Sequence, residues 1–244
     1  MPNALDLGAA SPGDLSDVLP LALLQRAARI RHWVVEDAKS ARAFLARVSV
    51  TTPLSSPLQS LSIVEMPRPP KGSGRAIESS QWARLLEPAA LGADIALLSE
   101  AGLPAVADPG AALVRAAHEA GILVEALPGP SALLLALAAS GLQGQRFMFV
   151  GYLPTEGDER VARIRSLEAA SRRDGCTQIC IETPYRNAAL MAALVATLAP
   201  DTRLSVSCGL TMDGGFNRCA SVAHWRRSPP QWPSRLPAVF CWLA

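Results

Sequence analysis

The stretch that decides the fold is residues 94–153, which read DIALLSEAGLPAVADPGAALVRAAHEAGILVEALPGPSALLLALAASGLQGQRFMFVGYL. Short apolar runs with the length of buried strands alternate here with segments whose apolar residues recur at helical spacing. Alternation of this kind predicts a mainly parallel sheet covered by helices. The predicted strands are 94–98, 122–127 and 147–151, and the predicted helices are 111–120 and 131–140.

The rest of the chain continues the α/β pattern on both sides of this stretch. Further helices are predicted near residues 21–30, 39–47, 81–91, 159–173 and 187–198. Further strands are predicted at residues 32–36, 60–65, 177–182, 203–209 and 238–243.

Pro154 and Gly157 interrupt the pattern before a charged helical segment, which marks a boundary between two lobes. We therefore predict an N-terminal α/β lobe at residues 1–153, with the mainly parallel sheet. The C-terminal α/β lobe at residues 154–244 should have a mixed sheet, because the residues between Thr211 and Pro237 favour hairpins and turns.

Composition narrows the class of protein. The chain has 244 residues, half of them apolar, which is enough for two hydrophobic cores. The formal net charge of +2 gives no global argument for nucleic-acid binding. The longest apolar run, Ala132 to Ala139, is far shorter than a membrane span, and the first residues do not resemble a secretory signal. These features predict a soluble cytoplasmic protein.

The cysteines favour a structural role over metal binding. They stand mostly in apolar, strand-like settings, without a Cys-x-x-Cys pair or a histidine at ligand spacing. We predict buried reduced thiols and no metal site. The residues concerned are Cys176, Cys180, Cys208, Cys219 and Cys241.

Two loops at predicted strand ends are candidates for binding a ligand, because ligands of open α/β sheets bind beyond the carboxyl ends of the strands. The first loop, Ser99 to Gly110, contains Gly102, which permits close backbone approach, and Asp108, which is predicted to cap the next helix. The second loop, Pro128 to Ser131, also opens a helix. Helix N-termini suit a carboxylate or another anionic group.

Other site types are poorly supported. The segment from Gly72 to Arg75 lacks the lysine and spacing of a phosphate-binding loop, and no Gly-x-Gly-x-x-Gly follows a strand. No Gly-x-Ser-x-Gly elbow marks a serine nucleophile. The plainer alternative is that Asp108 only caps its helix and that the glycines only turn the chain.

Several short motifs follow one another in a fixed order. They are Ser99-Glu-Ala-Gly-Leu-Pro, Ala107-Asp-Pro-Gly, Leu127-Pro-Gly-Pro-Ser-Ala, Arg146-Phe and Gly151-Tyr-Leu-Pro, with Val35-Glu-Asp before them and Ile181-Glu-Thr-Pro-Tyr-Arg-Asn and Gly209-Leu-Thr after them. This series resembles the tetrapyrrole methylase superfamily, the class III S-adenosylmethionine-dependent methyltransferases. It is most similar to the branch that methylates a cytidine ribose of small-subunit ribosomal RNA.

The resemblance implies a two-lobed fold, with S-adenosylmethionine in the cleft between the lobes, and a homodimer. It also implies cofactor contacts from both lobes. The contacts in the predicted first lobe are Ser99, Ala101, Gly102, Pro104, Asp108, Pro128, Gly129, Ser131 and Ala132. Those in the predicted second lobe are Glu182, Thr183, Pro184, Leu210 and Thr211.

Methyl transfer from a sulfonium is an in-line displacement, so the protein must mainly align the acceptor and exclude water. An alcohol acceptor would also benefit from a base. The catalytic residue stays open among Glu182, Asp108 and Glu36, each of which could equally be a cap, an ion-pair partner or a cofactor contact.

The chain departs from the ribosomal branch at three places. The usual Thr-Pro-Ile-Gly-Asn-Leu segment is replaced by Met1-Pro-Asn-Ala-Leu, which predicts a missing or shortened strand. Glu-Leu-Thr-Lys appears as Gly209-Leu-Thr-Met212, and Glu-Asp-Thr-Arg as Glu36-Asp-Ala-Lys39. The acceptor therefore stays open among RNA ribose, a tetrapyrrole or another small molecule, and a degenerate member that binds the cofactor without turnover is a further alternative.

Overall fold

The computed structural model describes residues 1–6, 9, 12–69, 77–233 and 236–244. The chain forms two compact units. The first comprises Met1–Leu7 and Gly13–Pro130, and the second comprises Gly8–Pro12 and Ser131–Ala244. This division falls earlier than the boundary predicted near residue 154, because the helix that follows Ser131 packs against the sheet of the second unit.

The first unit is built around three parallel strands: β1 (His32–Val35), β2 (Ser62–Glu65) and β3 (Ile95–Leu98). Their order is β2-β1-β3, and Val34 pairs in register with Val64 on one side and Leu97 on the other. Parallel strands end at one edge, so the loops after β1, β2 and β3 share that edge. The helices of this unit are α1 (Leu21–Ala27), α2 (Ala38–Thr51), α3 (Ser79–Ala90) and α4 (Ala111–Glu119).

Helices cover both faces of this sheet, as the sequence predicted. Trp33 and Val35 of β1 pack with Phe44 of α2, whereas Val34 packs on the opposite face with Trp82 of α3 and Leu113 of α4. Burial on both faces explains why β1 is a continuous apolar run and not an alternating one.

The strand predicted at residues 122–127 is wrong. The segment is not assigned to a strand, and the described backbone hydrogen bonds place none of it in a ladder. Leu123 is 92% exposed, while Arg26 holds Glu125 through two short contacts of 2.5 and 2.7 Å. Strand formation needs a hydrogen-bonding neighbour as well as β-propensity, and no described strand supplies one here.

The second unit contains a mixed five-stranded sheet, as predicted. Its strands are β4 (Phe147–Phe149), β5 (Thr177–Glu182), β6 (Arg203–Cys208), β7 (Phe216–Ser221) and β8 (Ala238–Leu243), in the order β4-β5-β8-β6-β7. Only the β4–β5 pair is parallel. The helices are α5 (Ala132–Ser140), α6 (Gly157–Asp174), α7 (Asn187–Thr197) and the short α8 (Val222–Arg227).

Each face of the second sheet has its own core. Ala136 and Leu137 of α5 pack on Ile179, Val239 and Cys241. The opposite face packs on α6, α7 and α8 and carries the larger cluster, which includes Leu167, Leu190, Trp225, Phe240 and Trp242.

Three of the cysteine predictions are confirmed, because Cys180, Cys208 and Cys241 are buried free thiols. Cys176 and Cys219 are also free but only partly buried. Within the described ranges, no helix combines the length and the apolar composition needed to span a bilayer.

Candidate functional site

The loop from Ser99 to Gly110 leaves β3 in an unusually wound conformation. Gly102 and Gly110 have φ values of 67° and 129°, and the two alanines Ala105 and Ala107 have φ values of 66° and 64°. Positive φ is rare for residues with a side chain, and it costs about 1–3 kcal/mol at each such position. Strain of this kind is concentrated at functional sites, which supports a binding role for the loop.

The predicted cap at Asp108 is wrong. Helix α4 begins at Ala111, its N-cap position is Gly110, and no side chain caps it. Instead, the carbonyl of Pro109 accepts a hydrogen bond of 3.2 Å from the N–H of Ala105, which closes the end of the loop. The plainer alternative for Asp108 therefore fails, because its carboxyl group is not used for capping.

Asp108 lies in a cluster of acidic groups at the carboxyl edge of the first sheet. Partial burial, followed by the nearby charges of Glu36 and Glu100, raises the pKa of Asp108 to about 6. The pKa of Glu100 is also raised, first by burial and then by Glu36 and Asp37. One Glu36 oxygen accepts the backbone N–H of Glu100 at 3.3 Å, so the cluster is tied to the loop itself.

Ser99 stands at the start of the loop with an unused hydroxyl group. The residue is 2% exposed, and its hydroxyl makes no well-formed hydrogen bond to any described residue. It still lies near enough to Asp108 to offset part of the rise in the pKa of that carboxyl. A buried polar group without a partner is uncommon and indicates a position that a ligand can satisfy.

A cavity of about 290 Å³ opens beside the acidic cluster, within the first unit. Asp108 and Glu36 line it together with Arg68, whose guanidinium donates a 2.8 Å hydrogen bond to the carbonyl of Glu36. Its volume is at the lower end of the range for ligand pockets. The remaining walls are mostly apolar and include Met66, Pro67, Pro69, Ile77, Trp82, Pro109, Ala111 and Ala112.

Residues 2–5 contact the two predicted cofactor loops of the first unit. A Cβ atom added to Gly129 would lie 2.3 Å from the ring of Pro2, and one added to Gly102 would lie 3.2 Å from Leu5. Asn3 forms an antiparallel bridge with Gly102. Both glycines therefore permit close packing, and the segment that was predicted to be a missing strand contacts both loops.

Glu182 of the second unit is fully paired, unlike Asp108. It is 4% exposed, forms a 2.7 Å ion pair with Arg186 and accepts a 2.7 Å hydrogen bond from the N–H of Thr183. The Arg186 guanidinium in turn reaches the carbonyl of Leu153 at 3.4 Å. Glu182 thus fixes the turn that follows β5.

The predicted second-unit residues gather at one edge of the second sheet. Glu182 of β5 and Cys208 of β6 both pair in register with Ala238, so the loops after β5 and β6 leave the sheet side by side. Ala132 and Leu210 pack against the same apolar cluster. Thr183 is half-buried, Pro184 and Thr211 are exposed, and Ser131 is buried at the start of α5 without a side-chain cap.

The Gly209 turn explains one departure from the ribosomal branch. Gly209 has a φ of 62°, and a Cβ atom there would lie 2.5 Å from Leu236. An acidic residue at this position would be strained at this φ and would displace the Leu236 side chain. Met212 packs against the larger core of the unit, so a lysine introduced there would have to leave that contact.

Several basic residues that we considered for RNA contact are engaged within the protein. Arg226 donates to the carbonyls of Val195 and Leu198 at 2.7 and 2.9 Å, which caps α7. Arg218 lies 4.5 Å from the ring of Trp225. Arg227 ends α8 at the surface, whereas Lys71 and Arg75 lie outside the described residues.

Comparison with known proteins identifies the family. The profile of the Tetrapyrrole (Corrin/Porphyrin) Methylases matches residues 10–215, which is most of the chain. The chain therefore belongs to the tetrapyrrole methylase family, whose members use S-adenosylmethionine as methyl donor. The class predicted from the motifs is confirmed.

Among individual relatives, the ribosomal RNA small subunit methyltransferase I of Xylella fastidiosa is 34% identical over 209 residues, covering 84% of this chain and 67% of its own length. The protein of that name from Synechocystis is 35% identical over 207 residues, covering 85% and 67%. The one from Mesorhizobium japonicum is 41% identical over 120 residues, covering 49% and 40%. The chain thus spans two fifths to two thirds of these relatives.

Solved structures confirm the fold. The methyltransferase CobJ superposes with a TM-score of 0.52 and 19% identity, covering 90% of this chain and 84% of its own. A uroporphyrin-III-C-methyltransferase from Thermus thermophilus gives a TM-score of 0.50 and 20% identity, covering 92% and 87%.

Proposed function

We propose that this chain transfers the methyl group of S-adenosylmethionine to an acceptor whose reacting group enters the cavity of the first unit. The observation that carries the proposal is the position of Asp108 on the wall of a largely apolar cavity, where no basic group contributes to its pKa of about 6. A pKa near the working pH is what a general base needs, because the group is then ionised but still able to accept a proton.

Of the three candidate bases, Asp108 fits this role best. Glu182 is held by Arg186 and Thr183, so its oxygens already have partners. Glu36 has one oxygen on the N–H of Glu100 and contributes mainly negative charge beside Asp108. We assign Asp108 as the base, Glu36 as a charged neighbour that tunes it, and Glu182 as a structural residue of the second unit.

The cofactor residues of the first unit are Ser99, Ala101, Gly102, Pro104 and the turn at Pro128 and Gly129. Support comes from the strained backbone of the loop and from the Ser99 hydroxyl, which lacks a well-formed hydrogen bond among the described residues. The cofactor contacts in the second unit stay predictions from the family resemblance. They are Ser131, Ala132, Glu182, Thr183, Pro184, Leu210 and Thr211.

The acidic cluster also suits the charge of the methyl donor. A sulfonium is cationic and its demethylated product is neutral, so negative charge near the reacting centre favours the donor. We expect the donor to bind more tightly than S-adenosylhomocysteine, by a ratio that falls as the pH drops below about 6 and Asp108 becomes protonated. Calorimetry with both compounds at several pH values measures this ratio, and a ratio unaffected by Asp108→Asn would contradict the assignment.

The acceptor that we test first is RNA, because the relatives carry the name of a ribosomal RNA methyltransferase. Ribose in ribosomal RNA should be a poor acceptor, since Met212 replaces the lysine of the ribosomal branch and packs into the core. A small uncharged or cationic molecule is the second candidate. The apolar walls favour it, and the acidic residues of the cavity disfavour a polycarboxylate tetrapyrrole.

The acceptor experiment uses the purified protein and a labelled methyl donor. Cell extract is separated into RNA, protein and small molecules, and label is counted in each fraction, with Asp108→Asn as matched control. Label in one fraction with wild type alone supports the proposal. Stoichiometric labelling of the ribose in small ribosomal subunits from a strain without its own enzyme would overturn our view of the acceptor, and no label anywhere would contradict turnover.

We also propose that the protein is cytoplasmic and forms a homodimer. Family resemblance suggests the dimer, and the second unit exposes apolar side chains that a partner could cover. Sedimentation at micromolar concentration tests it, and a monomer there would contradict it. The exposed residues are Leu134 and Leu135 of α5 and Phe147 and Met148 of β4.

A further inference from the structure

Asn3 is a buried polar residue with several hydrogen bonds that the proposed reaction does not yet use. It is 5% exposed, although it lies close to the start of the chain. Its side-chain Nδ2 donates to the carbonyl of Ser99 at 3.2 Å and to that of Glu100 at 2.9 Å. Its Oδ1 accepts the N–H of Ala4 at 2.9 Å, so the side chain has no unused hydrogen-bonding capacity of consequence.

The backbone of Asn3 forms two further hydrogen bonds to the same loop. Its N–H donates to the carbonyl of Gly102 at 2.9 Å, and its own carbonyl accepts the N–H of Gly102 at 3.2 Å. Four hydrogen bonds therefore join one residue to the four-residue stretch from Ser99 to Gly102. Packing of Pro2 on Gly129 fixes the other side of the segment.

These bonds set the direction of two peptide groups. In a planar trans peptide the C=O and the following N–H point in opposite directions. Because Asn3 holds the carbonyl of Ser99, the N–H of Glu100 points away from it and reaches Glu36 at 3.3 Å. Because Asn3 holds the carbonyl of Glu100, the N–H of Ala101 points away as well, and it has no hydrogen-bond partner among the described residues.

We propose that Asn3 is a positioning residue that presents the N–H of Ala101 to a carboxylate oxygen on the methionine end of the cofactor. The inference rests on the proposed function, because it assigns the ligand of this loop. Asparagine suits the task since one short side chain supplies two donors for two consecutive carbonyls. Aspartate has the same shape and could still accept from Ala4, but it would place negative charge against both carbonyls.

The test compares Asn3→Asp and Asn3→Ala with wild type by titration with S-adenosylhomocysteine. We expect both variants to bind about 10- to 100-fold more weakly, because the carbonyls of Ser99 and Glu100 lose their donor and the loop is free to turn. Asn217→Asp is the matched control, since the Asn217 amide donates to the carbonyl of Ala139 at 2.7 Å in the second unit. It should bind like wild type.

A spectroscopic measurement separates positioning from general destabilisation. The amide proton of Ala101 should shift downfield when wild type binds S-adenosylhomocysteine, and it should not shift in Asn3→Asp even at saturating ligand. An Ala101 amide that does not respond in wild type overturns the inference, whether or not the variants fold. Wild type that binds no ligand contradicts the proposed function itself, whereas equal binding by Asn3→Asp overturns only the role of Asn3.

Discussion

Asp108 and Glu182 are both acidic residues at the carboxyl edge of a sheet, one in each unit, but their surroundings differ. No basic group contributes to the pKa of Asp108, and the carboxylates of Glu36 and Glu100 lie nearby and raise it. Glu182 is more deeply buried, yet Arg186 and Thr183 satisfy it. Burial is the largest cause of the raised pKa of Asp108, and Glu182 differs in having a basic partner, so we infer that a basic partner decides whether a buried carboxyl stays available for proton transfer.

Removing the Asp108 carboxylate is the strongest way to test this comparison. Asp108→Asn should lower turnover by about 10²- to 10⁴-fold, the usual contribution of one positioned proton-transfer group. Wild-type turnover should rise with pH through about 6, because the base must be ionised, and the variant should lose this dependence. The measurement is single-turnover methylation across pH, and unchanged turnover in the variant would show that Asp108 is not the base.

The loop that carries Asp108 can be tested at Gly102. Gly102→Val should weaken binding of S-adenosylhomocysteine by about 10- to 100-fold, because a branched side chain at a φ of 67° is strained and would press on Leu5. Gly121→Val is a matched control with a φ of 68° and no neighbour within 4 Å of an added Cβ. If both variants bound equally well, the loop would not be a cofactor contact.

A change at Glu182 should affect stability more than chemistry. Glu182→Gln removes the charge that pairs with Arg186, and we expect the free energy of unfolding to fall by about 1–3 kcal/mol. Denaturant titration measures this loss. The pH midpoint of turnover should stay near that of wild type, and a displaced midpoint would transfer the role of base to Glu182.

The smallest expected effect is a stability gain at Asp108. Its raised pKa means that the folded chain holds the proton more tightly than the unfolded chain, so ionisation destabilises the fold as pH rises through about 6. Asp108→Asn should therefore raise the melting temperature by about 1–3 °C above pH 7. The gain should vanish below about pH 4, where both states are protonated. A constant gain across pH would point to packing as its cause.

The sequence allowed most of the fold to be predicted because the apolar periods of its elements are clear. β1, β3, β5 and β8 were predicted to within about one residue at each end, and the antiparallel pairing of β6 with β7 agrees with the predicted hairpin. The strand predicted at residues 122–127 was wrong because a pattern of apolar residues indicates burial but carries no information about a neighbouring strand. The prediction that Asp108 caps α4 was wrong because Gly110 occupies the N-cap position and no side chain caps the helix.

Only those residues of the candidate site that belong to a sequence motif could be predicted. The motifs identified both loops and the three acidic candidates, but sequence could not rank Asp108 above Glu182, since Arg186 is part of the same motif and its orientation follows from folding. Asn3 was missed entirely. Its partners are more than 90 residues away in the chain, and no local pattern marks such a contact.

Because three of the cysteines are buried, chemical modification of the thiols can be used to follow unfolding of this protein. Burial raises the pKa of Cys208 to about 11 and that of Cys241 to about 12, and it raises the pKa of Cys180 as well. The raised pKa keeps these thiols protonated at neutral pH, and alkylating reagents attack the thiolate. A maleimide should therefore modify Cys176 and Cys219 in the folded chain and all five cysteines after unfolding, so the mass added to intact protein measures the unfolded fraction without an introduced dye or tag.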